Sequence, residues 1–210
     1  GRRPGWKLPG GSVGEQVGVR RPLVREAFGR RAVEGVVGGK PNRGGNVAYP
    51  TLEEAGHVFE VRRGLERLVA ENLAGRLTAA QSAELEAHVR LEEKAHEQDG
   101  PESIRLSGEF HIKLAEMTGN ALLLRYVQEA SSRCSLILAI YGRPHSSECA
   151  VSEHRQLIEA LRAGDAARAA ALMDHHLQSV VTRALLAPRG ERDIRDVLAP
   201  YALSEGLTPS

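Results

Sequence analysis

Cysteines and long apolar runs are scarce in this chain, and each scarcity excludes a class of protein. Only two of the 210 residues are cysteine, Cys134 and Cys149, so there is no disulfide framework of the kind that staples small secreted domains. No apolar run reaches the roughly eighteen residues that a membrane-spanning helix needs. The first nine residues are basic and glycine-rich, and no apolar stretch of the signal-peptide type follows them. The simplest interpretation is a reduced, cytoplasmic protein without a membrane segment.

Charge is distributed unevenly along the chain, although the net charge is only +1. Residues 1–46, here called the basic head, contain ten Lys or Arg and three Glu, which gives +7. The remainder, the acidic body, contains 18 Lys or Arg and 24 Asp or Glu, which gives −6. A basic head on an acidic body indicates that the head meets a polyanion such as DNA. A solvated, disordered basic leader is the alternative interpretation.

The basic head contains signals for short helices followed by a hairpin. Residues 12–18 are compatible with one short helix, and Arg21–Glu34 with a second, in which Pro22 lies in the first turn. Residues 36–48 place a short β run on each side of a Lys-Pro-Asn-Arg-Gly-Gly turn, which predicts a hairpin. Together these signals predict a helix followed by a basic wing.

The acidic body is predicted to be helical throughout. Capping boxes open two of its helices, with Thr51 and Glu54 at one and Thr78 and Gln81 at the other. Gly164 and Asp165 provide a C-terminal cap and the next N-terminal cap. The predicted helices cover about residues 51–74, 78–98, 101–119, 121–141, 147–163, 165–186 and, weakly, 191–199. Long helices with short connections predict an all-α helical bundle.

Three histidines lie on the apolar faces of three different predicted helices: His111, His154 and His176. Spacings of three and four residues place each ring among aliphatic or aromatic neighbours on the buried stripe. Histidine fills a core poorly but binds metal well, so three core-facing imidazoles predict an internal metal site. The alternative for any one of them is a satisfied core histidine. The other five histidines are not expected to be ligands: His57, His88, His96, His145 and His175.

A three-histidine site with an open position also fits a hydrolytic zinc enzyme. Such an enzyme needs a general base beside the metal-bound water. Glu153 precedes His154 but points to a different face of the helix, and no histidine-glutamate motif of the required kind is present. The enzyme therefore remains an alternative.

The basic head resembles the winged helix-turn-helix of GntR-family bacterial transcription regulators. The resemblance rests on Val24-Arg25-Glu26-Ala27 in the predicted helix and on Pro41-Asn42-Arg43-Gly44 in the wing. It implies a DNA-binding domain over residues 1–48 that contacts double-stranded operator DNA. The expected DNA contacts are Arg20, Arg21, Arg25, Lys40, Arg43 and Gly44. Arg20 stands where the family usually has Ser, and the first helix of the family's domain is missing from the pattern, so this domain is expected to be small and incomplete.

The acidic body resembles the helical ligand-binding domain of the FadR-type branch of that family, the FCD domain. The resemblance covers about residues 51–186 and rests on segments such as Phe59-Glu60-Val61-Arg62, Phe110-His111 and Glu153-His154. It implies a divalent metal held by one Asp and three His, with a small carboxylate or sugar-acid effector over the ion. The three histidines correspond to His111, His154 and His176, and Ser107 stands at the position of the family's Asp.

From that resemblance we expect zinc as the ion, with nickel or manganese possible in its place. A site of three neutral imidazoles leaves the charge of the ion available for an anion, and an Arg completes the grip. The expected effector-binding residues are Arg62, Arg133 and Ser107. The resemblance also implies a homodimer.

Three functions follow from the sequence. The first is an effector-responsive transcription regulator, with the DNA-binding domain at 1–48, the helical effector and metal domain at 51–199, and a tail at 200–210. The second is a truncated effector-binding module that does not bind DNA. The third is the three-histidine metalloenzyme.

Overall fold

The computed structural model describes residues 7–8, 37–38, 45–47, 50–96, 101–141 and 148–185. The chain divides into two compact units. One contains three short strands, and the other spans Leu52–Pro188. The predicted helices at 12–18, 21–34 and 191–199 lie outside the described residues.

The first unit contains a three-stranded antiparallel sheet with strand order β1-β3-β2. Its strands are β1 (Lys7–Leu8), β2 (Val37–Gly38) and β3 (Gly45–Val47). Val37 pairs with Val47, which confirms the hairpin predicted for residues 36–48. Strand β1 was not predicted, because two residues are too few to show the alternation of a strand. Its Lys7 pairs with Asn46 of the wing strand.

The second unit consists of six helices in its described part. They are α1 (Leu52–Leu73), α2 (Ala79–His96), α3 (Pro101–Met117), α4 (Ala121–Tyr141), α5 (Glu148–Ala163) and α6 (Ala166–Leu185). Each agrees with the sequence prediction to within two residues at either end, so the all-α bundle is confirmed. None of the described helices is both long and apolar enough to cross a membrane.

Capping groups explain why the helix boundaries were predictable. The backbone N–H of Thr78 donates to Gln81 Oε1 at 2.9 Å, and that of Gln81 donates to Thr78 Oγ1 at 3.1 Å, which is the predicted capping box. At the start of α6 the N–H of Arg168 donates to Asp165 Oδ1 at 2.9 Å. The φ of Gly164 is +73°, a left-handed conformation that suits glycine at the end of α5.

All six helices contribute buried side chains to the core of the bundle. Helix α1 packs against α3, α4 and α6, while α2 packs against α3 and α5. Large, fully buried side chains fill the centre, among them Phe110, Leu114, Leu161, Met173 and Leu177. The three histidines also belong to this buried set, so the bundle places imidazoles where aliphatic side chains would ordinarily lie.

Candidate metal centre

The three predicted histidines converge at one point inside the bundle. His111 lies on α3, His154 on α5 and His176 on α6, and all three are buried. The Nε2 atom of His176 lies 3.3 Å from Nε2 of His154 and 3.2 Å from Nε2 of His111. One nitrogen from each ring lies within 4.8 Å of the others. Residues that are 22 to 65 positions apart in the sequence therefore point at a common centre.

These nitrogen–nitrogen separations are those expected between two ligands of the same metal ion. Zinc–nitrogen bonds are about 2.0–2.1 Å long, so two imidazole nitrogens on one tetrahedral zinc ion lie about 3.3–3.4 Å apart. The Nε2 separations of His176 from His111 and from His154, 3.2 and 3.3 Å, are close to this value.

Each histidine contacts a glutamate through its other ring nitrogen. His154 Nδ1 lies 2.7 Å from Glu92 Oε2, and His176 Nδ1 lies 2.6 Å from Glu153 Oε2. His111 Nδ1 contacts Glu66 Oε2. The three carboxylates come from α2, α5 and α1, so five of the helices contribute to the centre.

The carboxylates determine which nitrogen of each ring carries the proton. An ionised carboxylate only accepts hydrogen bonds, so Nδ1 of His154 and Nδ1 of His176 donate. The contact of His111 Nδ1 with Glu66 Oε2 favours the same placement of the proton. Each Nε2 is then left with a lone pair directed at the common centre. Lone pairs facing one another at 3.2–3.3 Å in a buried site repel, and a cation between them removes the repulsion. The donor chemistry of these residues therefore fits a divalent metal ion.

A buried ion pair supports the first histidine. Arg62 Nε donates to Glu66 Oε1 at 2.5 Å, and both side chains are almost fully buried. Burial alone would raise the pKa of Glu66, but the attraction of Arg62, together with the contact with His111, lowers this pKa to about 2. Burial also lowers the pKa of His111, although Glu66 opposes this effect. Glu66 is therefore a carboxylate and His111 a neutral imidazole, the form that binds metal.

The charge around the centre differs from the sequence expectation. Three neutral imidazoles were expected to leave the charge of an ion free for an anion. Glu66 is paired with Arg62, but the described partners of Glu92 and Glu153 are histidines. No Arg or Lys is among those described partners. The two negative charges of Glu92 and Glu153 therefore balance the charge of one divalent cation. The attraction left for an anion is consequently weaker than the ligands alone would suggest.

Phe110 forms one wall of the centre. Its ring is fully buried and stacks on His154, with centroids 3.9 Å apart and an interplanar angle of 16°. It also meets His111 edge to face, with centroids 5.7 Å apart. These contacts restrict ring rotation and exclude water, which strengthens electrostatic interactions at the centre.

The expected effector-binding residues lie in three different surroundings. Ser107 is half-buried on α3, one turn before His111. Arg62 is buried and paired with Glu66, so it meets the centre through that carboxylate and His111. Arg133 is more exposed and donates to Glu129 at 2.8 Å. All six expected DNA contacts of the basic head lie outside the described residues.

Of the histidines not expected to be ligands, His57 and His175 are exposed, the latter with 73% of its side chain accessible. His145 lies outside the described residues, as does the side chain of His96. His88 differs from the others because it is buried, although it lies in a predominantly charged helix. None of these described side chains joins the cluster of three.

The three glutamates were missed at the sequence level. A usable signal existed for two of them, because they fall on buried stripes. Glu92 follows Leu85 and Val89 at helical spacing, and Glu66 lies between Phe59 and Val69. An acid at a core position needs a partner, and that requirement points to a site. Glu153 had been assigned to a different face of its helix, but its carboxylate reaches His176 on the neighbouring helix.

Comparison with known proteins identifies the family. The FCD domain matches residues 57–179. YdhC, an uncharacterised HTH-type transcriptional regulator of Bacillus subtilis, is 24% identical over 165 residues, which is 76% of this chain and 73% of YdhC. The transcriptional repressor RspR of Escherichia coli is 24% identical over 179 residues, 84% of this chain and 78% of RspR.

A solved structure shares the fold. E. coli McbR/YncC superimposes with a TM-score of 0.77 at 19% identity, covering 88% of this chain and 89% of that one. The FCD match spans more than half of the chain, and the similar proteins named above include transcriptional regulators. This chain therefore belongs to the FadR-type, FCD-domain branch of the GntR family, and it is a transcriptional regulator rather than an enzyme.

Proposed function

We propose that the helical unit of this regulator binds a divalent metal ion through His111, His154 and His176. The observation that carries this proposal is the convergence of three Nε2 atoms whose rings each contact a carboxylate at Nδ1. Three imidazole donors at a tetrahedral spacing favour zinc, while nickel and manganese remain candidates. When bound, the ion supplies a Lewis-acidic position for an oxygen ligand.

The proposed effector is a small carboxylate or sugar acid that binds beside the ion. Ser107, Arg62 and Arg133 are its candidate contacts. Ser107 stands one turn before His111 at the position where the family has Asp, so it leaves room for an oxygen ligand where other members supply a protein carboxylate. Arg62 can stabilise a bound carboxylate through its guanidinium while it keeps its contact with Glu66.

The proposed output is a change in binding to operator DNA. RspR is a repressor by name, and repression is the corresponding proposal for this chain. A homodimer with two-fold symmetry would recognise a palindromic operator through two basic heads. This role places the protein in the cytoplasm, with the chromosome.

Metal analysis and thermal unfolding test the first part. The purified protein is stripped with a chelator, reloaded with Zn²⁺, Ni²⁺ or Mn²⁺, and its melting temperature is compared with that of the stripped protein. A ligand at about 100 times its dissociation constant stabilises the folded state by about 2.7 kcal/mol, a shift of several degrees for a domain of this size. The His154→Ala variant should lose this shift, whereas His57→Ala, which removes an exposed histidine, should keep it. If His154→Ala keeps the metal-induced shift in melting temperature, as His57→Ala should, the proposal is contradicted.

A DNA mobility-shift assay tests the second part. Full-length protein is incubated with the DNA upstream of its own gene, with and without metal and with a panel of organic and sugar acids. A shift that changes with metal or acid supports an effector-responsive regulator. A protein that binds acids but never shifts DNA would instead be an effector-binding module without DNA binding.

A further inference from the structure

His88 is buried although the sequence places it in a charged helix. Only 4% of its side chain is exposed. Its Nε2 atom lies 2.8 Å from the backbone carbonyl oxygen of Leu106 on α3. The same atom lies 3.3 Å from Glu92 Oε1, one turn further along α2. Because a carbonyl oxygen only accepts, Nε2 of His88 carries a proton and donates it.

The contact with Glu92 leads to the metal centre. Glu92 Oε1 contacts His88, and Glu92 Oε2 accepts from Nδ1 of His154 at 2.7 Å. A continuous chain therefore runs from the Leu106 carbonyl through His88 and Glu92 to His154. It joins α3, α2 and α5, and its side chains are all nearly inaccessible to water.

Each oxygen of the Glu92 carboxylate thus contacts a histidine. Burial alone would raise the pKa of Glu92, but its contacts with His154 and His88 lower it. Among the described residues Glu92 Oε1 has no well-aligned hydrogen-bond donor, so its contact with His88 Nε2 at 3.3 Å is an electrostatic one beside the hydrogen bond that this nitrogen donates to Leu106. Without His88, Glu92 Oε1 would lose the polar N–H group beside it. The contact with His154 would then be the main restraint on rotation of the carboxylate plane.

We propose that His88 is a positioning residue that, through Glu92, fixes the ring of His154 and thereby raises the metal affinity of the centre. This inference rests on the proposed metal function. His88 itself contacts no metal: its role is to hold the carboxylate that orients a ligand. Groups that contact a ligand directly commonly change metal affinity about 10- to 100-fold, and His88 acts one contact further out, so an effect near the lower end of that range is expected.

Two amide variants differ in reach and so test the proposal. In His88→Gln the side-chain amide nitrogen lies near the former position of imidazole Nε2, so a donor to Leu106 that also lies beside Glu92 is retained. In His88→Asn the amide is one methylene shorter and reaches neither oxygen. His57→Gln, on the exposed face of α1, is the matched control.

Three measurements are made on each full-length variant: Zn²⁺ affinity by competition with a chromophoric chelator, the visible absorption spectrum of the Co²⁺-loaded protein, and the melting temperature after metal removal. We expect His88→Asn to lose about tenfold in affinity and to change the Co²⁺ spectrum. His88→Gln should stay within about threefold of the wild type and keep its spectrum, and His57→Gln should match the wild type.

The outcomes separate this inference from the function on which it depends. Wild-type affinity and spectrum in His88→Asn would overturn the role of His88 and leave the metal site intact. Equal losses of affinity in the Gln and Asn variants, with equal losses of metal-free melting temperature, would show that His88 only fills space, and would also overturn it. A wild-type protein that binds no Zn²⁺ and no Co²⁺ would refute the metal site, and this inference with it.

Discussion

At the scale of single residues, the glutamates behind the histidines are the most informative side chains. Glu153 is the least buried of the three, so it can be changed with the smallest risk to folding. Its Oε2 accepts from Nδ1 of His176 at 2.6 Å and so directs Nε2 to the centre. Substituting Glu153→Gln should weaken Zn²⁺ binding roughly 10- to 100-fold, the range seen for partners of metal-binding histidines.

The same helix provides the control for this experiment. Glu159 is exposed on α5, and Glu159→Gln removes an equal charge without touching a histidine of the centre. Chelator competition at fixed pH measures both variants. If both lose affinity to the same extent, the effect of Glu153 comes from overall charge and its hydrogen bond to His176 does not matter.

Ser107 gives a second prediction at this scale. The family resemblance implies an Asp at this position, and a hydroxyl is a weaker ligand for a cation than a carboxylate. Because Ser107 lies one turn before His111 on α3, Ser107→Asp should place a carboxylate beside the centre and raise the affinity for Zn²⁺. Ser107→Asn has the same shape without the charge. A gain that is no larger in the Asp variant than in the Asn variant would contradict the assignment of this position.

The residues of the centre show what the sequence can and cannot provide. Helical spacing predicts that each of the three histidines faces the core, whereas their convergence on one point depends on how the helices pack and was expected from the family resemblance. To predict that the glutamates contact these histidines, one must know which helices are neighbours. The pairs of Glu66 with His111 and Glu92 with His154 span 45 and 62 positions, and an acid on a helix is by default assigned to solvent.

At the scale of secondary-structure elements, two helix ends meet at a pair of glycines. Gly75 follows α1 with a φ of +71°, and its N–H donates to the carbonyl oxygen of Leu161 at 2.8 Å. A Cβ added to Gly75 would lie 3.3 Å from the Cα of Gly164, which follows α5. The two helices can approach this closely only because neither residue has a side chain.

Gly75→Ala should therefore destabilise the bundle by about 1–2 kcal/mol, because alanine is strained at positive φ and would also crowd Gly164. Urea unfolding of the metal-free protein, followed by the circular dichroism of its helices, measures the effect. Gly64→Ala is the matched control: Gly64 lies inside α1 with open space around it, so alanine there should stabilise by about 0.5–1 kcal/mol. Equal effects of the two substitutions would contradict the packing argument.

Helices were predictable at this scale because their signals are local. Thr78 with Gln81, Asp165 and Gly164 each mark a boundary through bonds that lie within a few residues. Strand β1 was not predictable, because its pairing with β3 joins positions almost 40 residues apart. Short strands owe their existence to such partners and carry little signal of their own.

At the scale of the whole molecule, regulation is a coupling between the proposed metal and effector site and operator binding. If the effector changes operator affinity by some factor, operator DNA must change effector affinity by the same factor, because the two routes form a closed thermodynamic cycle. Coupling free energies of about 1–3 kcal/mol are typical, which corresponds to factors of roughly 5–150.

This coupling gives the last prediction. In Zn²⁺-loaded protein, the acid that stabilises the fold most should change operator affinity by a factor within that range, measured by fluorescence anisotropy of labelled DNA at constant salt. His176→Ala removes one of the proposed metal-binding imidazoles, so its operator affinity should no longer respond to the acid. Arg155→Ala, which breaks an exposed ion pair with Glu93 on the surface of α5, should keep the full response. If the operator affinity of His176→Ala responds to the acid as strongly as that of the wild type, the effector acts without the metal. The coupling between effector and operator DNA would then not depend on the metal site.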